Sequence, residues 1–146
     1  MSFYKCVVKA GHDGGGRIWE LTLYLSAKSY TEAMKQARWF PMVKHNRGNT
    51  ISDMQVVEEK EFVLGSIISG YSRRNELINE DCLVQFKHII RRFNNFKVGK
   101  LETEEGKILK DFVDRYTHSS AEDKPAIEQE YYNWAQGLVE ANQLVR

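Results

Sequence analysis

The stretch Ser29–His45, SYTEAMKQARWFPMVKH, constrains this chain most, because it sets a helix start and a helix stop only about ten residues apart. Ser29 followed by Glu32 is a capping box, in which each side chain can satisfy an orphan backbone N–H of the first turn. Tyr30, Ala33, Met34 and Ala37 recur at helical spacing and define one apolar stripe. Pro41 cannot continue the ladder and biases Phe40 away from helical geometry, so the helix ends there. Trp39 points roughly opposite the Tyr30 stripe and needs either a second covering layer or solvent.

A helix this short needs a sheet to pack on, and its flanks supply one. Phe3–Lys9 alternates imperfectly, with Tyr4, Cys6 and Val8 on one face and Phe3 and Val7 on the other. Arg17–Leu25 alternates more cleanly, placing Trp19, Leu21, Leu23 and Leu25 together. The glycine-rich stretch Gly11–Gly16 joins these two strands as a hairpin loop. It is a poor phosphate cradle, since both phosphate-binding fingerprints require a helix directly after the loop and a strand follows here. His12 beside Asp13 reads as turn chemistry rather than a catalytic pair. Thr50–Glu58 is a third strand, with Met54 and Val56 on one face and Ile51 and Val57 on the other. A right-handed crossover through the helix predicts the strand order 2-1-3, leaving Phe3, Val7, Ile18 and Tyr24 on a face that wants cover.

The second half can provide that cover. Phe62, Val63, Leu64, Ile67 and Ile68 could make a short helix, but Gly65, Ser66, Ser69 and Gly70 weaken it, and GYSRRN reads as a linker. Asn79 caps a helix to about Asn94 with Cys82, Phe86, Ile89, Ile90 and Phe93 on one face. Thr103 caps the next, with Leu109, Phe112, Val113 and Tyr116 as its stripe. The last helix begins between Ser120 and Pro125 and carries Ile127, Tyr131, Trp134, Leu138, Ala141 and Val145. The expected fold class is α+β: a small antiparallel or mixed three-stranded sheet with one helix (ββαβ, residues 1–64), a linker (65–78) and a three-helix bundle (79–146). The two halves are expected to pack together, with Trp39 at least partly buried near their junction.

Length and charge exclude several classes. At 146 residues and a net charge of +1, the chain can bury a sizeable core without metal or disulfide staples, and it is not a polycation. Cys6 and Cys82 sit in no CxxC spacing and read as reduced thiols at apolar positions. The N-terminus lacks a long apolar region, and no apolar run approaches a membrane span, so a soluble, cytoplasmic protein without a membrane partner is expected.

Charge is nevertheless distributed unevenly. Between Glu32 and Asp53 there is no carboxylate, whereas Lys35, Arg38, Lys44 and Arg47 lie there with His45 and the adjacent Trp39. Between Cys82 and Leu101 carboxylates are again absent, while Lys87, Arg91, Arg92, Lys97 and Lys100 are present along with His88. Such a basic helix can lie on phosphates, dock on an acidic protein, or pair internally with acids such as Glu122, Asp123, Glu128 and Glu130. The first basic stretch has the alternative of being a solvated loop. The candidate partner-binding or nucleic-acid-binding residues are Lys35, Arg38, Trp39, Lys44, His45, Arg47, Lys87, Arg91 and Arg92.

The run SYTEAMKQARWFPMVKH, with the later TISDMQVVEE, resembles a loosely defined set of small uncharacterised proteins of Gram-positive bacteria and their phages or mobile elements. The shared pattern falls on Ser29, Glu32, Ala33, Ala37, Arg38, Pro41, Val43, Lys44 and His45, covers about the first 60 residues, and implies no assigned activity. The pattern is also similar to a small ribosomal βαβ module with a basic loop after its helix, though no motif specific to it is present.

No constellation for chemistry is visible. His12, His45, His88 and His118 occur without HxxxH or HxxE spacing, and no nucleophile elbow, Walker loop, dinucleotide fingerprint or kinase motif occurs. The expectation is a non-enzymatic protein with no catalytic residue, cofactor or metal, although a site assembled from distant residues is the least favoured alternative. It would bind a host protein or nucleoprotein complex, for example as an inhibitor of a defence system such as an anti-CRISPR protein. The alternative is direct binding of RNA or DNA through the basic patches. The last helix is also long enough to pack on a partner helix, which allows dimerisation.

Overall fold

The computed structural model describes residues 1–12, 18–39, 51–68 and 79–142, with side chains described for 1–9, 20–39, 51–68 and 82–142. Strands β1 (Ser2–His12) and β2 (Ile18–Ala27) form an antiparallel hairpin, followed by α1 (Tyr30–Trp39) and β3 (Ile51–Val57). β3 pairs antiparallel with β1, so the three-stranded sheet has the order β2-β1-β3 expected for a helical crossover. Helices α2 (Glu59–Ile68), α3 (Asn79–Phe96), α4 (Glu104–His118) and α5 (Lys124–Asn142) follow. The architecture is α+β, with a sheet followed by a helical bundle.

α1 forms where its start signal predicts: the Glu32 backbone N–H donates to the Ser29 hydroxyl at 3.2 Å. Its buried side is Ala33, Gln36 and Ala37, which lie over Tyr4, Cys6, Val8, Leu23, Leu25 and Ala27 of the sheet. The stripe differs from the predicted one at its ends. Tyr30 is exposed and only its ring edge approaches Tyr4, while Gln36 is buried because its amide Nε2 donates to the Ser26 carbonyl at 2.9 Å.

The other sheet face is covered chiefly by α2. Phe62, Val63 and Ile67 enter the same core as Cys82, Phe86, Ile89 and Phe93 of α3 and the stripes of α4 and α5, with Phe3, Tyr24 and Val57 of the sheet packed against it. Residues Gly65–Ile68, expected in the connecting segment, belong to α2, a buried helix that shares its core with α3, α4 and α5. The glycine that seemed to weaken α2 is what lets it approach the sheet. A Cβ on Gly65 would lie 2.3–2.5 Å from the Tyr24 ring, closer than any side chain tolerates. Residues 69–78, the rest of the expected linker, lie outside the described residues.

α2 and α3 run antiparallel. The Phe62 ring stacks near Phe93 with centroids 6.2 Å apart, and at the other end Gln85 Nε2 donates to the Ser66 carbonyl at 3.2 Å. In α5 the buried positions are Ile127, Tyr131, Ala135 and Val139, so Trp134 and Leu138 lie at the margin and Ala141 is exposed. Tyr131 stacks on Phe86 with centroids 4.0 Å apart and meets Phe112 edge-on. The Cys6 and Cys82 thiols are both buried and form no disulfide. Burial, and then the Asp53 charge, pushes the Cys6 thiol up to about 11, so it behaves as a small apolar side chain.

Candidate partner-binding surface

The C-terminal turn of α1 presents Lys35, Arg38 and Trp39, all exposed. Trp39 stands at the junction expected for it: its indole meets the Phe96 ring at the end of α3 edge-on, with centroids 5.0 Å apart and planes 86° apart. The contact leaves Trp39 41 % exposed. Thus the tip of α1 is held against the C-terminus of α3, and Lys97, which follows Phe96 in the left-handed conformation at φ 49°, is brought to the same junction. Lys44, His45 and Arg47 lie outside the described residues.

The second set divides in two. Lys87 and Arg91 are exposed on α3. They precede Phe96 by nine and five residues, which at about 100° per residue sets them about 180° and 140° round the helix from it. They therefore face away from the Trp39 junction and do not extend the Lys35–Arg38 surface. Arg92 is not on a surface at all; it is 3 % exposed. Expected as a binding candidate, it is instead enclosed, because α2 and α5 both pack against α3.

Two of the internal acids take other partners. Glu130 pairs with Arg115 at 2.5 Å and Glu128 accepts from the Tyr116 hydroxyl at 2.9 Å, both linking α5 to α4. Among the described residues Lys35, Arg38, Lys87 and Arg91 make no ion pair. Half-buried His88 is held below its ordinary value by burial and then by the charges of Arg91 and Arg92.

Comparison with protein-family models, curated proteins and solved structures gave no match. Among the described residues no group of three or more histidine, cysteine, aspartate or glutamate side chains is placed to hold a metal ion, and no helix is long and apolar enough to cross a membrane.

A shallow groove of about 310 Å³ between β2 and α2 was not foreseen from the sequence. Tyr24, Leu64, Gly65 and Ile68 line it with Glu58, Lys60 and Glu61. Burial, and then Glu61, raises the Tyr24 phenol above its ordinary value and keeps it protonated. No sequence periodicity announces this groove, because its lining comes from β2 and α2 brought together, with Gly65 against the Tyr24 ring.

Proposed function

We propose that this chain is a non-enzymatic interaction protein that docks on an anionic surface of a protein or nucleoprotein complex through Lys35, Arg38 and Trp39. The observation that carries the reading is the Trp39–Phe96 contact. It fixes a partly exposed indole at a helix junction beside cations that no described carboxylate neutralises. Aromatic and arginine side chains held in one place lose little entropy on binding, which suits them as anchors. A role as an inhibitor of a host defence complex, encoded by a phage or mobile element, rests on the N-terminal resemblance alone.

The test is retention of partners from host lysate by the wild type and by an Arg38→Ala/Trp39→Ala variant, each with and without nuclease. The proposal expects a discrete partner retained by the wild type and lost by the variant. Retention that is unchanged in the variant, or absent altogether, overturns it.

A second reading, direct RNA or DNA binding, draws on the same indole, since an aromatic flanked by cations is a stacking platform for bases. It expects affinity that falls with salt with a log–log slope on the order of the number of phosphates neutralised. A flat salt dependence, or affinity unaltered by Lys35→Ala/Arg38→Ala, removes it.

A further inference from the structure

We propose that the Nε/Nη2 edge of Arg92 is an internal oxyanion site, which takes two oxygens of a phosphate-like or carboxylate group beside α5. Arg92 is 3 % exposed, and its buried Nε and Nη2 have no hydrogen-bond partner. These two nitrogens lie on the same side of the guanidinium. Their N–H groups point in parallel, at the spacing that receives two oxygens of one carboxylate or phosphoryl group. A buried donor left without an acceptor is strongly unfavourable, and a buried charge without a counter-charge is more so.

Among the described residues no carboxylate acts on the Arg92 guanidinium, and the one charge interaction it feels is with Tyr131. From Cys82 to Leu101 the chain has no carboxylate. Arg91 adjoins Arg92, and the charges of both are felt by His88 one turn away. Glu128 and Glu130 of α5 are turned to Tyr116 and Arg115. Burial draws the Arg92 guanidinium down to about 10, with Tyr131 opposing, so it stays charged at neutral pH. An anion is the species that satisfies both the charge and the two donors. Because the edge is buried, the ligand is a small group rather than a polymer backbone.

The experiment is thermal unfolding of the full chain titrated with sodium phosphate, sodium sulfate or sodium acetate, with ionic strength held constant by sodium chloride. A ligand bound only by the native state raises the melting temperature in a saturable way. The wild type is expected to show such a rise, and Arg92→Met none, while melting in chloride at or above the wild-type temperature. Arg92→Lys keeps the charge and loses the parallel donors, so its half-maximal effect should move to at least about tenfold higher anion. This variant also serves if Arg92→Met does not fold. A response to phosphate and sulfate alone assigns a tetrahedral oxyanion, whereas a response that includes acetate assigns any group with two such oxygens. No saturable rise in the wild type, or an equal rise in Arg92→Met or Arg92→Lys, overturns the proposal. So does an Arg92→Met variant that melts below the wild type without any anion response, which would mean that a carboxylate of the chain itself pairs with Arg92.

Discussion

Glu59, the first residue of α2, ties that helix to the start of α4 by accepting a hydrogen bond from the Thr103 hydroxyl. Its carboxylate also receives the backbone N–H of Thr103 at 2.6 Å and of Glu102 at 2.8 Å. Thr103 in turn accepts the Gly106 N–H at 3.0 Å as the N-cap of α4. Gly106 has to be small, since a Cβ there would lie 2.6 Å from the Glu59 carboxylate. One acid thus joins the helix that covers the sheet to the helix that begins the last hairpin.

Glu59→Ala should therefore destabilise the chain by about 1–2 kcal/mol, because it strips a charged acceptor from several donors at a helix start. Burial pushes the Glu59 carboxyl up, but the Thr103 and Glu102 hydrogen bonds and the Lys107 charge outweigh it and hold it below its ordinary value of 4.5. Its contribution is thus present above that value and is lost as pH falls through the lowered one. Urea unfolding of wild type and Glu59→Gln from pH 7 to 3 should converge at the acid end. A constant gap between them would refute the assignment.

Gly65→Ala should destabilise by about 1–3 kcal/mol, even though alanine is the better helix former, because the added methyl meets the Tyr24 ring. In a Tyr24→Leu background the same substitution should be neutral or stabilising. Equal effects in the two backgrounds would show that the ring is not what excludes the side chain.

Half-buried His88, held below 6.5 by burial and its two arginine neighbours, is protonated more readily in the unfolded chain. The stability it confers is complete above pH 6.5 and declines as pH falls from there toward the depressed value. Urea midpoints measured between pH 7.5 and 5.5 should fall less in His88→Gln than in the wild type. Identical slopes would sink this expectation.

Trp39→Phe should remove an iodide-quenchable component of the fluorescence, since the indole is 41 % exposed. Trp39→Ala should cost about 1–2 kcal/mol, from the edge-to-face contact with Phe96 and the area it covers. Unchanged quenching in Trp39→Phe would mean that the junction shields the ring completely.

Local signals along the sequence were enough for most elements. The Ser29 cap, the alternation through Leu21, Leu23 and Leu25, and the stripe of Phe86, Ile89 and Phe93 each depend on neighbours within a few residues, and each appears where its period puts it. The strand order β2-β1-β3 is also the one the sequence predicts. What the sequence left open depends on which surfaces meet. Gly65 and Ser66 looked like helix breakers until α2 lay against Tyr24, where a side chain would have kept the layers apart. Arg92 looked exposed until the helices closed over it, and Glu128 and Glu130, two of the acids that could have paired with the α3 cations, are turned to Tyr116 and Arg115. Periodicity fixes which residues share a face, but only the packing of four helices on a sheet decides what that face meets.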